Sequence, residues 1–185
     1  IPTPKFQKIK SADDIIRKDF HFPLILKLAA EGSSMGLDFD SVVYDEAQLK
    51  SKINSLQKAY KDKSILIEEF IDGREFTVPI VGNSPPVVLP IIEVMFDKMP
   101  EGKPKIVLFR PDDEHTTVAE ALKKTNKESE MKNPGHYRAC PAPVDKKTES
   151  KIRELAVRVF NAVDCRDWCR MEFRMDKGGN LFFIE

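Results

Sequence analysis

Between Ser64 and Val94 three apolar runs follow one another: Ser64 to Phe70, Glu75 to Val81 and Val87 to Val94. Asp72-Gly73 and Gly82-Asn83 mark the breaks between them. Apolar runs of this length between turn signals read as three successive strands. Trp168 to Met175 and Asn180 to Glu185 form a second such pair around Lys177-Gly178-Gly179. Pro23 to Leu28, Val42 to Tyr44 and Lys105 to Phe109 are further strand candidates.

Helical spacing appears in two places. Leu49, Ile53, Leu56 and Tyr60 recur at helical intervals between Glu46 and Lys61, with lysines on the other side. Between Lys147 and Val163, residues Ile152, Leu155, Ala156, Val159, Phe160 and Val163 form one apolar stripe. Ser11 with Asp14 three residues later predicts a short capped helix ending near Phe20. Arg110 to Arg138 is polar, contains Pro134-Gly135 and reads as a long loop, with one helix around Thr117 to Lys124. Helices mixed with antiparallel strands give an α+β chain and exclude a doubly wound parallel sheet.

The 185 residues suffice for one domain or one and a half. Thirty basic residues balance thirty acidic ones, which argues against general binding to nucleic acid or to a membrane surface. No apolar run approaches the roughly 20 residues of a membrane span. Cys140, Cys165 and Cys169 form no C-x-x-C pair, and the three histidines complete no zinc spacing. The cysteines read as free thiols in a reducing compartment, hence a cytoplasmic location. The start at Ile1-Pro2-Thr3-Pro4 and the apolar run Leu181 to Glu185 both look cut, as expected of a piece of a larger protein.

Strand alternation separates two faces of Trp168–Met175. Cys169, Met171, Phe173 and Met175 form a core face, and Arg170, Glu172 and Arg174 point the other way. On the last strand Leu181, Phe183 and Glu185 share a face, and a tight hairpin brings Glu185 near Glu172. Two carboxylates beside an arginine suit Mg²⁺ and phosphate oxygens, although a solvated charged face is the plain alternative. Glu68 and Glu69 interrupt an apolar strand and call for a partner: an adenine amino group, a ribose hydroxyl or a lysine elsewhere. Glu75 repeats that pattern. Lys27, flanked by Leu26 and Leu28, can serve as a point charge for phosphate or simply be exposed. The loop Glu31-Gly32-Ser33-Ser34-Met35-Gly36 offers hydroxyls and backbone N–H groups to phosphate oxygens, but lacks P-loop spacing.

The order of these features carries more than any one of them. A strand lysine with E-G-S-S-x-G is followed by I-L-I-E-E-F-I-D-G-R-E-F-T-V and then by C-P-A. An amphipathic helix, C-R-x-E-F and F-F-I-E complete the series. It resembles the ATP-grasp ligases, and within them most the D-alanine–D-alanine ligase family. The resemblance implies an ATP-grasp fold with the nucleotide between two antiparallel sheets. Residues 1–82 would form the lid (central) subdomain, and residues 83–185 part of the C-terminal catalytic subdomain, truncated at Glu185.

It also implies roles, residue by residue. Lys27, with the loop Glu31, Gly32, Ser33 and Ser34, would hold the ATP phosphates, and Ser33 would help organise the closed catalytic site. Glu68 would take the adenine amino group, Glu69 belongs to the same motif, and the backbone of Phe70 and Ile71 would face the ring. Glu75 would hold the ribose hydroxyls. Arg170 would be catalytic, and Glu172 and Glu185 would bind Mg²⁺ or Mn²⁺. The sequence departs from the family pattern at Leu28, where proline is usual, and at Glu172, where aspartate is usual. The family's middle-loop tyrosine and lysine find only a faint echo in Phe96-Asp97-Lys98. The implied activity is ATP-dependent joining of amino acids through an acyl phosphate. Alternatives are an ATP-grasp ligase for other amino-acid or peptide substrates, or a degenerate non-catalytic nucleotide-binding module. Expected partners are small amino-acid substrates, with a homodimer of the full-length protein left open.

Overall fold

The computed structural model describes residues 1–11, 13–32, 34–108 and 136–185. The chain divides into two compact units. One comprises Lys5–Phe70 and the described part of Gly102–Lys132; the other comprises Ile1–Pro4, Ile71–Glu101 and the described part of Asn133–Glu185. The division falls after Phe70, not at residue 82. The run Arg74–Val81 is hydrogen-bonded on both sides to strands of the second unit, which leaves no boundary at its C-terminal end.

The first unit is built on an antiparallel sheet ordered β1-β4-β2-β3. Its strands are β1 (Phe6–Ile9), β2 (Leu24–Leu28), β3 (Val42–Val43) and β4 (Ile65–Glu69). Helix α1 (Glu46–Ala59) starts at Asp45, whose carboxylate accepts the N–H of Gln48 at 2.8 Å. Its residues Leu49, Ile53 and Leu56 pack on Ile9, Leu24, Leu26, Leu28, Ile65 and Ile67, all buried. The opposite sheet face carries a smaller cluster of Ile25, Val42 and Ile106.

The helix expected over residues 11–20 does not form among the described residues there. Asp14 does accept the N–H groups of Lys10 and Ser11, as a helix-start carboxylate would. Gln7 then takes the backbone groups that a helix would need. Its amide donates to the Ile15 carbonyl at 2.8 Å and accepts the Arg17 N–H at 2.9 Å. The strand expected at 105–109 is also absent over residues 105–108: Ile106 is buried beside Ile25 and Val42 without joining a ladder.

The second unit holds an antiparallel sheet ordered β10-β9-β5-β7-β8, with β6 also paired to β5. These strands are β5 (Arg74–Val81), β6 (Val87–Val88), β7 (Ile92–Met95), β8 (Tyr137–Ala139), β9 (Trp168–Met175) and β10 (Leu181–Phe183). The run Val87–Val94 is therefore two strands, because Pro90 between them has no N–H to donate. Helix α2 (Lys146–Ala162) begins at Asp145, which accepts from the N–H groups of Lys147 and Thr148. Ile152, Leu155, Ala156, Val159 and Phe160 of α2 close over Phe76, Val78, Ile80, Met171, Phe173 and Leu181. Cys165 and Cys169 pack against this core as free thiols; burial and the neighbouring Cys165 thiol push Cys169 up to about 11.

Two backbone details shape the other sheet face. A Cβ at Gly73 would lie 1.9 Å from the carbonyl oxygen of Met175, so the turn into β5 passes β9 with room only for hydrogen. Beyond Phe183, the N–H groups of both Ile184 and Glu185 point at the Glu172 carbonyl, and the Glu172 N–H donates to the Glu185 carbonyl. Two residues thus oppose one, which is a β-bulge. Without it, Glu185 would share the core face of Leu181 and Phe183.

The part of the expected long loop within residues 109–135, with its helix, lies outside the described residues, as does Ser33.

Candidate functional site

The chemistry-bearing residues fall into two sets, one on each sheet. On the first, Lys27 of β2 and Glu68 of β4 project from the face opposite α1, where Ile25 pairs with Glu68 and Lys27 with Leu66. Their side chains meet: Lys27 Nζ lies 2.5 Å from Glu68 Oε2, with Glu68 buried and Lys27 half-buried. The sequence offered Glu68 a base, a ribose or a lysine as partner, and Lys27 is the partner it has here. A buried carboxylate needs such a countercharge.

Glu69 does not join this pair. Alternation turns it to the other face, where its carboxylate accepts the N–H of His21 at 3.0 Å and lies 3.8 Å from Lys5. Phe70 donates its N–H to the Pro23 carbonyl and packs by Ile25. Glu31 is tied to Lys63 at 2.5 Å, at the mouth of the glycine–serine loop. Beyond Gly32, whose carbonyl accepts the Met35 N–H, Ser34 and Gly36 both take left-handed backbone (φ 57° and 74°).

On the second sheet the face turned from α2 carries Glu75 and Thr77 of β5 opposite Arg174 and Glu172 of β9, with Pro79 opposite Arg170. Arg138 of β8 lies two strands from Glu75, across Val94. Arg170 Nη2 lies 3.4 Å from Glu172 Oε1. The β-bulge turns Glu185 towards this face, and the expected approach of Glu185 to Glu172 is present.

Burial first, then repulsion from Glu75 and Glu185, raises Glu172 above the ordinary carboxylate range; Arg170 and Arg138 offset part of this. The folded chain therefore holds the Glu172 proton more tightly than the unfolded chain does. Its stabilising effect is complete below the unfolded-chain carboxylate pKa and is lost as pH rises through the higher folded value. Glu172→Gln is accordingly expected to raise the melting temperature at neutral pH, with the gain disappearing at acid pH. Paired melting curves across pH check this, and an equal gain at all pH values would remove the Glu172 charge as its cause.

A carboxylate destabilised by two others suits a hard cation. Glu172 and Glu185 would be its protein ligands, and no group of three Asp, Glu, His or Cys side chains among the described residues is set to hold a metal unaided.

Two residues of this face had no assigned role in the sequence. Alternation places Arg174 on this face without indicating a role for it. Arg138 ends the run that reads as a loop in the sequence, because β8 has only three residues.

The family model for the C-terminal part of D-Ala–D-Ala ligases matches residues 1–185. The chain is 29% identical over 191 residues to the D-alanine–D-alanine ligase of Janthinobacterium sp. (strain Marseille), covering 100% of this chain and 51% of that protein. It is 28% identical over 185 residues to the uncharacterised protein y4sG of Sinorhizobium fredii, covering 100% of this chain and 48% of that one. Among solved structures, the VanG D-Ala:D-Ser ligase of Enterococcus faecalis superposes with a TM-score of 0.70 at 21% identity, over 100% of this chain and 47% of that one. The D-alanine–D-alanine ligase of Bacillus anthracis gives 0.68 at 19% identity, over 100% of this chain and 51% of that one. The chain thus spans about half the length of the relatives it matches. These likenesses show an ATP-grasp fold, and the family match along its whole length makes the chain a member of the D-Ala–D-Ala ligase C-terminal family.

Proposed function

We propose that this chain supplies the ATP-binding and catalytic portion of a D-alanine–D-alanine ligase-like enzyme that joins a carboxylate to an amine. What carries the reading is the sheet face on which Arg170, Glu172 and Glu185 converge, within a chain that matches the family from end to end. A structure of the B. anthracis ligase complexed with ATP has the same fold, at a TM-score of 0.65.

In the proposed reaction, a carboxylate oxygen of one amino acid attacks the γ-phosphorus of ATP, and ADP leaves. The amine of a second amino acid attacks the resulting acyl phosphate, phosphate departs, and the amine loses a proton. Phosphoryl transfer asks the protein chiefly for positioning and charge neutralisation. Lys27 and the Gly32–Ser34 loop are assigned to the phosphates, Glu68 to the adenine amino group and Glu75 to the ribose. Arg170 is assigned to the charge that builds on the transferred group. Magnesium on Glu172 and Glu185 would neutralise phosphate oxygens. Free thiols at Cys140, Cys165 and Cys169 support a cytoplasmic location.

The test uses the intact protein. It is expected to release phosphate from ATP when given a D-amino acid from a panel; no release with any of them would end the D-alanine-ligase reading. Glu68→Ala is expected to weaken ATP binding roughly tenfold in a calorimetric titration, the loss of one hydrogen bond to a charged group. Unchanged binding would take Glu68 out of the adenine site.

A further inference from the structure

Arg174 lies on the site face opposite Glu75 and is 4% exposed. Its Nε and Nη2 donate to Glu75 at 3.0 and 2.5 Å, and both use the same oxygen, Oε2. Its Nη1 donates to the carbonyl of Ile71 at 2.9 Å. Its guanidinium carbon stands 5.8 Å from the centre of the Phe96 ring.

We propose that Arg174 is a positioning residue for nucleotide selection: it fixes Glu75 so that the second carboxylate oxygen selects a ribose over a deoxyribose. The inference rests on the reading of Glu75 as the ribose acceptor. A carboxylate paired with a guanidinium offers its remaining lone pairs to donors. Because both donors meet Oε2, neither consumes Oε1, which is left to a donor outside the pair. A sugar diol supplies such donors; a deoxysugar supplies one fewer. The third bond, to Ile71, fixes the backbone of the segment that the family resemblance sets against adenine. One side chain therefore sets the relative positions of a sugar-reading carboxylate and a base-reading backbone. Buried ion pairs are a poor means of gaining stability over packed apolar residues, so stability alone gives little reason for this arginine.

The experiment measures binding of ATP and of 2′-deoxy-ATP, with magnesium, to the intact protein and its variants. Wild type is expected to prefer ATP by about tenfold, the worth of one hydrogen bond to a charged group. Glu75→Gln is expected to bring that ratio close to one. If Glu75→Gln keeps the wild-type ratio, the ribose reading of Glu75 fails and the role of Arg174 falls with it. Arg174→Lys retains the charge but cannot span Glu75 and Ile71 with a planar fork. It is expected to lower the ratio by about threefold or more, mainly through KM for ATP rather than kcat. A wild-type ratio in Arg174→Lys, alongside a collapsed ratio in Glu75→Gln, would overturn the inference and leave the Glu75 reading standing. Should Arg174→Lys fail to fold, the double variant Glu75→Gln/Arg174→Met removes both charges. The same ratio as Glu75→Gln alone supports action through Glu75, and a further fall overturns it.

Discussion

Replacing Arg170 by alanine is expected to lower ligation turnover by about a thousandfold while leaving ATP affinity and melting temperature close to wild type. The contrast follows from where the side chain sits. Arg170 is 63% exposed, and its 3.4 Å approach to Glu172 is a surface ion pair, a class worth at most about 1 kcal/mol. Removing it therefore costs the fold little. A transferring phosphoryl group is different, because charge builds on it in the transition state only, and a positioned cation then acts differentially. Single-turnover rates beside a nucleotide titration separate the two effects. Turnover within about tenfold of wild type would take Arg170 out of the catalytic role.

Phe173→Ala is expected to have the largest effect on stability. Phe173 is fully buried in the centre of β9, paired with Phe76 on one side and Phe183 on the other. Its ring centre is 5.6 Å from that of Phe183 at a 55° tilt, so truncation loses an aromatic contact and also opens a cavity under α2. Such changes cost about 3–5 kcal/mol, against a total of about 5–15 kcal/mol for a folded domain. The urea midpoint should drop accordingly with little change in slope, and Phe173→Leu should recover much of the loss. A loss below about 1 kcal/mol would mean that the core collapses around the gap.

The element order and the core stripes of both helices could be read directly from apolar periodicity, because burial imposes it. At Glu69 periodicity and motif point to different faces. Alternation along Ile65–Glu69 already places it opposite Glu68, yet the motif resemblance grouped the two. Lys27 and Glu68 show a different limit. Each needed a partner, but their pairing depends on the register of β2 against β4, which lies in non-local hydrogen bonds. Glu185 was expected near Glu172 for a reason that simple alternation contradicts. Strict alternation from Leu181 would have turned it into the core, and only the extra residue at Ile184–Glu185 reconciles the two. Short strands such as β1 and β8 carry too few residues to show a period at all. The helix expected at Ser11 carried a genuine start signal, but Gln7, distant in register, outcompeted it for backbone groups.

The close approach at Gly73 ties the packing of the second unit to its site. The neighbour within 1.9 Å of the missing side chain is main-chain oxygen, which cannot swing aside as a side-chain tip can. Gly73 also lies between Ile71 and Glu75 in the chain. Alanine there is therefore expected to lower the melting temperature and to displace both neighbours, so that ATP binding weakens with the fold. A melting curve beside an ATP titration checks this, and wild-type values in both would mean that the Met175 main chain gives way.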